Sequence, residues 1–286
     1  MNVMIDENVK IRETLDVNGK VLQGCTSDII GEVEVVYQSR QDGKVLFTKN
    51  LYKNDLLVTG AVFISEKINN MRSGYITTPI DITFGVHAPE EIDQSSASIP
   101  NEIICGLMIG NGGAGDTYNA VYKVNRAAHM VPGMIPFRVV EIKADGSDLD
   151  PTDRAKYFLR VVNGDYAYYY GKKFDIDREI NVQYEDGTSV PLDANTSVTN
   201  KFIKVYTKYS VTIDARDVRE YFKITQGSTL KSLVNSVGLM TGYPGTASDS
   251  YEEFFNVRGL TTFNMENHEL KDSESTITII YRLFIQ

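Results

Sequence analysis

No tryptophan occurs among the 286 residues, and the only cysteines are Cys25 and Cys105. The two lie far apart, and the opening residues Met1-Asn2-Val3-Met4-Ile5-Asp6-Glu7 lack the basic and apolar regions of a secretion signal. Reduced, buried thiols are therefore expected, rather than a disulfide. Apolar runs fall well short of the roughly 18 residues a membrane helix needs, so no membrane partner is expected. The three histidines, His87, His129 and His268, belong to no H-x-x-x-H or C-x-x-C pattern, which removes the usual signal for zinc. No G-x-S-x-G elbow is present either. Basic residues are the minority, 29 against 38 acidic, for a formal charge of −9. That sign repels a phosphate backbone and argues against a nucleic-acid grip.

The chain does have 17 tyrosines and 12 phenylalanines, which suit sheet faces and contact surfaces. Asn18-Gly19 marks a tight hairpin. A second one runs from Gly31 to Ser39, turns at Asp42-Gly43 and returns from Lys44 to Leu51. Ala61 to Asn70 can form a short helix. Tyr75 to Val86 reads as a strand interrupted by Pro79, and the Ser-rich Ala88 to Pro100 as a surface loop. Met130 to Pro136 reads as a surface crossing that packs on its neighbours, and Phe137 to Ile142 as a strand. Asp186-Gly187 is another turn, followed by an alternating strand from Phe202 to Ile213. Helices are expected to concentrate at 214–258. One is capped by Asp214. A longer one is capped by Ser228, with Leu230, Leu233, Val234 and Val237 on one face and Gly242 as its stop. A third has Ser250 and Glu253 as a capping box. The terminal strand is the clearest, with Ile277, Ile279, Tyr281, Leu283 and Ile285 alternating with polar residues. The expected class is mainly β: an antiparallel sandwich or barrel with a few short helices inserted. Residues 1–286 are read as one β-rich unit. The polar Asp145 to Asp153 stretch is the best place for a subdivision into 1–144 and 154–286.

The most informative segment is the apolar run Ile103 to Ile109 that opens onto Gly110-Asn111-Gly112-Gly113-Ala114-Gly115. Gly110, Gly112 and Gly115 formally spell G-x-G-x-x-G, the dinucleotide fingerprint. That fingerprint works only where a helix N-terminus follows to meet the pyrophosphate. Here Asp116 to Asn125 follows, with Tyr118, Tyr122 and Val124 an even number of residues apart, which reads as a strand. The loop is accordingly read as a place where backbones approach closely or adopt positive φ, and as a candidate interface loop with no cofactor. Tyr168, Tyr169 and Tyr170 with Lys172 and Lys173 form a candidate aromatic and basic contact surface. Its competing reading is a strand with tyrosines on both faces. Asp145, Asp148, Asp150 and Asp153 do not match the calcium-loop spacing and read as a solvated turn. Cys105 inside an apolar strand is a poor nucleophile. No catalytic or metal-binding residue stands out.

Several segments, taken in order, carry a resemblance. They are the Asp42-Gly43 hairpin, Lys53-Asn54, Gly60 and the glycine loop with Val121-Tyr122-Lys123-Val124. Further on come Pro136-Phe137-Arg138, Tyr170-Gly171-Lys172-Lys173-Phe174, Asp217 to Phe222 and Ile279-Ile280-Tyr281-Arg282. Together, across residues 31–286, they resemble virion structural proteins of tailed bacteriophages. The resemblance implies a non-enzymatic particle component of the neck, collar or tail-completion type, assembled in the host cytoplasm. It implies a homo-oligomeric ring, six- or twelve-fold, that meets other virion proteins such as portal, adaptor or tail proteins. DNA would pass nearby without specific binding. The alternative class is a carbohydrate- or host-binding β module on the particle surface.

Overall fold

Alternation at the C-terminus sets the architecture. Ile277, Ile279, Tyr281 and Leu283 are all buried, and the residues between them are only partly so. A strand of that pattern needs apolar cover on one side only. The computed structural model describes residues 14–17, 20–23, 29–52, 55–69, 102–115, 120–175, 178–192, 202–228, 232–246, 252–270 and 275–285. The expected strand at 75–86 and loop at 88–100 lie outside them, as do Cys25, His87 and Ser250.

In chain order the elements are β1 (Thr14–Val17), β2 (Lys20–Gln23), β3 (Ile29–Ser39), β4 (Val45–Tyr52), β5 (Asp55–Leu56), α1 (Val58–Asn69), β6 (Ile103–Gly110), β7 (Met134–Ile135) and β8 (Arg138–Glu141). There follow α2 (Pro151–Arg154), β9 (Tyr157–Asn163), β10 (Tyr166–Lys173), β11 (Glu179–Tyr184), β12 (Ser189–Pro191), β13 (Phe202–Asp214), α3 (Ala215–Gln226), β14 (Leu233–Thr246), β15 (Glu252–Glu269) and β16 (Ser275–Ile285). One sheet has the order β12-β11-β13-β16-β3-β4. The other runs β5-β15-β14-β6-β10-β8, with β7 beside β6 and β9 beside β10. β1 and β2 form a separate antiparallel pair in which Val17 faces Lys20, and the expected Asn18-Gly19 turn lies outside the described residues. Every strand pair is antiparallel among the described residues.

The two large sheets bury one core between them. Val33, Val35 and Tyr37 of β3, Tyr209 to Ile213 of β13 and the inward row of β16 meet Leu107, Ile109, Tyr169, Val237, Leu239 and Leu260 of the other sheet. α1 adds Phe63. α3 adds Ala215, Val218 and Phe222, which recur at helical spacing. Asp214 caps α3, accepting from the Arg216 N–H at 3.0 Å, and Gly227 closes it at φ 67°. Among the described residues the fold is thus mainly β with three short helices, the class that composition and alternation predicted.

The helix positions need correction. Only α3 falls within 214–258 among the described residues, while α1 and α2 lie far upstream. The longer helix expected from Ser228 to Gly242 is the strand β14. Its register shifts at Val234/Ser236, Leu239/Met240 and Thr241/Tyr243. The pairing with β15 is irregular between Val234 and Ser236, and Val234, Val237 and Leu239 reach the same core at spacings of three and then two. That imitates a helical stripe. The capping box at 250–253 likewise gives no helix, since β15 begins at Glu252 and Glu253 pairs with Gly245. The strand expected after the glycine loop reduces, among the described residues, to a single bridge between Ala114 and Val121.

Residues 145–153 divide neither sheet. β3, β4, β6 and β8 precede them, and β10, β13, β14, β15 and β16 follow them, interleaved in both sheets. The acids there have local duties. Asp145 accepts from Ser147, Asp148 pairs with Arg160 at 2.7 Å, Asp150 caps α2, and Asp153 pairs with Lys156. Among the described residues no three histidine, cysteine or carboxylate side chains group to hold a metal.

Candidate functional site

The glycine segment is the most elaborated backbone site in the molecule. β6 delivers it between β14 and β7, and Gly110 is its last strand residue, paired with Ser236 and Met134. The chain then leaves the sheet under close guard. Asn111 N–H donates to the Gly133 carbonyl at 2.9 Å, and Gly112 N–H to the Pro132 carbonyl at 3.0 Å. Gly115 N–H donates to the Ala120 carbonyl, and Tyr122 N–H returns to the Gly113 carbonyl, both at 2.9 Å. These bonds lay Val121 and Tyr122 alongside Gly113 and Ala114.

Three asparagines on the neighbouring strands complete the bracing. The Gly113 N–H donates to Asn235 Oδ1 at 2.6 Å. Asn235 Nδ2 donates to the Asn111 carbonyl at 3.0 Å and to Asn267 Oδ1 at 2.8 Å. Asn267 Nδ2 reaches the Gly115 carbonyl at 3.0 Å, and Asn264 Nδ2 the Tyr122 carbonyl at 2.8 Å. A side-chain amide offers both donor and acceptor, so it can satisfy a backbone that has left the ladder. Asn235 is 1 % exposed, which makes each of these bonds strong and each loss expensive.

This geometry explains the glycines. None of Gly110, Gly112, Gly113 and Gly115 has a positive φ; Gly133, facing them, does, at 58°. Close approach is what Gly110, Gly112 and Gly113 serve. A Cβ on Gly113 would lie 2.4 Å from the Asn235 carbonyl oxygen and 2.9 Å from Asn264 Oδ1. Among the described residues no helix directly follows the loop to present an N-terminus to a pyrophosphate. Replacing Asn235 by alanine should strand the Gly113 N–H and the Asn111 carbonyl in a dry site. We expect a loss of about 1–3 kcal/mol in chemical denaturation, and earlier hydrogen exchange at Gly113 than at Leu107. Unchanged exchange at Gly113 would show that the asparagine does not carry the turn.

Two side chains emerge from the braced turn. Val121 is 47 % exposed and Tyr122 53 %. Lys123 and Arg126 beside them are exposed too, and Arg126 pairs with Asp55 at 2.7 Å.

The other predicted surface lies inside. Tyr168, Tyr169 and Tyr170 are all buried. Alternation sends Tyr169 into the main core, and Tyr168 and Tyr170 to the opposite face with Val139 and Val161. Lys172 is buried as well. Its Nζ donates to the Thr212 carbonyl at 2.5 Å and pairs with Asp175 at 3.0 Å, which ties β10 to β13 across the two sheets. Lys173 Nζ sits 5.5 Å over the Phe254 ring. The segment is thus a strand with tyrosines on both faces, and it offers no continuous aromatic and basic surface.

Sequence reasoning missed a second polar centre. Glu102 is fully buried just before β6. Arg258 of β15 grips it twice, Nε to Oε1 at 2.6 Å and Nη2 to Oε2 at 2.5 Å. Thr241 of β14 donates to Oε1 at 2.6 Å, and Glu66 of α1 stands 3.6 Å from Arg258. Burial works against the Arg258 charge, but the Glu102 hydrogen bonds and charge outweigh it and raise its pKa. Nearby Cys105 is a free, buried thiol, pushed well above its ordinary pKa first by burial and then by the Glu102 charge.

No known protein family, curated protein or solved structure matches the chain. Its function therefore has to be argued from the turn, the buried centres and the order of motifs along the sequence.

Proposed function

We propose that the chain is a non-enzymatic structural subunit of a tailed-phage particle, forming a six- or twelve-fold ring at the head–tail connection around the DNA passage. The order of motifs across residues 31–286 supports this reading. The structural observation that carries it is the Val121–Tyr122 turn. Four backbone–backbone bonds and three asparagines brace the backbone that carries an exposed aromatic. A rigid, exposed tyrosine suits a subunit contact, because little conformational freedom is lost when it is covered. The formal charge of −9 fits a passage through which DNA slides, since each neutralised phosphate would add salt-dependent affinity. Portal, adaptor or tail proteins are its expected neighbours.

Sedimentation velocity and negative-stain microscopy of the purified full chain test the reading. A closed ring of six or twelve copies with no retention on DNA at low salt is expected. A chain that stays monomeric, or one that binds DNA with a steep salt dependence, would refute it.

The exposed Tyr122 also favours a second reading, a carbohydrate- or host-binding module on the particle surface, since an exposed ring can stack on a sugar face. Quenching of tyrosine fluorescence by host-surface glycans, lost in Tyr122→Ala, would support that reading over the ring.

A further inference from the structure

Three asparagines precede a glycine, at Asn18-Gly19, Asn111-Gly112 and Asn163-Gly164, and the first lies outside the described residues. The other two share their chemistry and differ in their surroundings. An Asn-Gly step is the least hindered for attack of the following backbone nitrogen on the side-chain amide carbon, because glycine has no Cβ to obstruct the ring that forms. Asn111-Gly112 is shut against that attack. The Gly112 N–H donates to the Pro132 carbonyl at 3.0 Å, the Asn111 N–H to the Gly133 carbonyl at 2.9 Å, and the Asn111 carbonyl accepts from Asn235. Asn111 Oδ1 lies 2.6 Å from where a Cβ on Gly133 would stand, so the amide is packed against that backbone.

Asn163-Gly164 is open. Asn163 at the end of β9 pairs with Tyr166 at the start of β10, so Gly164 and Asp165 form a two-residue turn. Gly164 takes φ 58° and Asp165 does not take a positive φ, which puts glycine at the first central position of a type II′ turn. Asn163, Gly164 and Asp165 are all exposed, and a Cβ on Gly164 would meet nothing within 4 Å. Among the described residues no acceptor takes the Gly164 N–H and no partner holds the Asn163 side chain. Other exposed turns occupy the residue before their glycine. Asp42, Asp145 and Asp186 each accept through Oδ1 from the N–H two residues on, at 3.2 Å from Lys44, 2.9 Å from Ser147 and 2.9 Å from Thr188. β9 is paired with β10 alone among the described residues, so Asn163 can leave the strand conformation without breaking a second ladder.

We propose that Asn163 is a self-modification site, at which the chain converts its own asparagine to aspartate and isoaspartate. The Gly164 backbone nitrogen bonds to Asn163 Cγ, the Cγ–Nδ2 bond breaks, and the amide group leaves as ammonia with the proton that the Gly164 nitrogen gives up. Water then opens the five-membered imide. Cleavage between the Gly164 nitrogen and Cγ gives aspartate. Cleavage between that nitrogen and the main-chain carbonyl carbon gives isoaspartate, whose backbone runs through the side chain. No oxidant or cofactor is consumed. Either product carries a carboxylate where the amide stood, beside Asp165. Isoaspartate also adds one methylene to the backbone, which a two-residue turn of fixed register cannot absorb, so the Asn163–Tyr166 pairing loosens. The inference stands apart from the ring reading.

The test is to age the purified full chain at mildly alkaline pH, with and without guanidinium, and to follow each site by proteolysis and tandem mass spectrometry. A gain of about 1 Da should appear at Asn163. In the folded chain Asn163 should convert about tenfold faster than Asn111, or more, because Asn111 must wait for its braced turn to open. In guanidinium the two rates should converge. Hydrogen exchange at Tyr166 should quicken as the folded chain ages. Asn163→Gln, an exposed change whose ring would need six members and closes slowly, should age without that quickening. An Asn163 that stays intact in the folded chain, or an Asn111 that converts there as fast as Asn163, would overturn the assignment.

Discussion

Above about pH 10 the protein should unfold in one cooperative step, complete before pH 12. Five tyrosines, Tyr37, Tyr157, Tyr169, Tyr170 and Tyr209, are at most 8 % exposed. Burial pushes the phenols of Tyr157 and Tyr209 up to about 12, and those of Tyr37, Tyr169 and Tyr170 further still. In the unfolded chain a tyrosine ionises near 10. A group whose pKa is raised by folding adds stability that is fully present below the unfolded value and is lost as pH rises toward the folded one. Between 10 and 12 the unfolded chain therefore sheds protons that the fold retains. Each such tyrosine removes about 1.4 kcal/mol per pH unit, so five remove about 7. Typical domain stabilities of about 5–15 kcal/mol are exhausted within one or two units. The phenolate absorbance of these five and the far-ultraviolet circular dichroism should change together. Tyr169→Phe should move the midpoint upward, because it removes one of the five buried phenols whose ionisation the fold resists. Smooth ionisation of every tyrosine near pH 10 with the fold intact would contradict this account of the core.

What was legible in the sequence was whatever local spacing decides. β16 could be read because its side chains alternate without a register shift over its whole pairing with β3. The β3–β4 hairpin could be read because Asp42-Gly43 supplies the residue that turns at φ 67°. β14 could not, because its core residues Val234, Val237 and Leu239 depart from the period of two that identifies a strand, with the pairing irregular between Val234 and Ser236. The tyrosine run misled for a related reason. Adjacent tyrosines look like one surface on paper, yet a strand sends them to two faces, and here each face is covered. The glycine loop announced close approach but not the partner. Asn235, Asn264 and Asn267 lie more than 110 residues downstream, and nothing in their own neighbourhoods links them to Gly113. The same distance hid the pairing of Glu102 with Arg258, 156 residues apart. An isolated glutamate before an apolar strand looks like a solvated boundary residue. Only the register of β15 against β14 shows that Arg258, opposite Thr241, faces it.

That pair should dominate the stability of the α1–β14–β15 corner. Arg258→Met should cost about 3–5 kcal/mol in guanidinium denaturation at neutral pH, far more than the packing of one arginine stem would explain. The reason is the state left behind. Glu102 is fully buried, and without Arg258 it keeps only the Thr241 hydroxyl and faces Glu66, a second carboxylate, on α1. Two buried acids would then share a site with no cation between them, and desolvation of an unpaired charge is the largest single penalty a point change can impose. Lys67 lies nearer the edge, its own charge disfavoured first by burial, and it cannot replace a bidentate guanidinium. If the stranded charge causes the loss, removing that charge should restore stability. The double variant Glu102→Leu with Arg258→Met should recover most of the deficit despite having lost both hydrogen bonds, and Glu102→Leu alone should fall between, because Arg258 retains Glu66. The double-mutant cycle then yields a large coupling term. A double variant no more stable than Arg258→Met would show that packing around the guanidinium, and not the pairing of buried charge, holds this corner together.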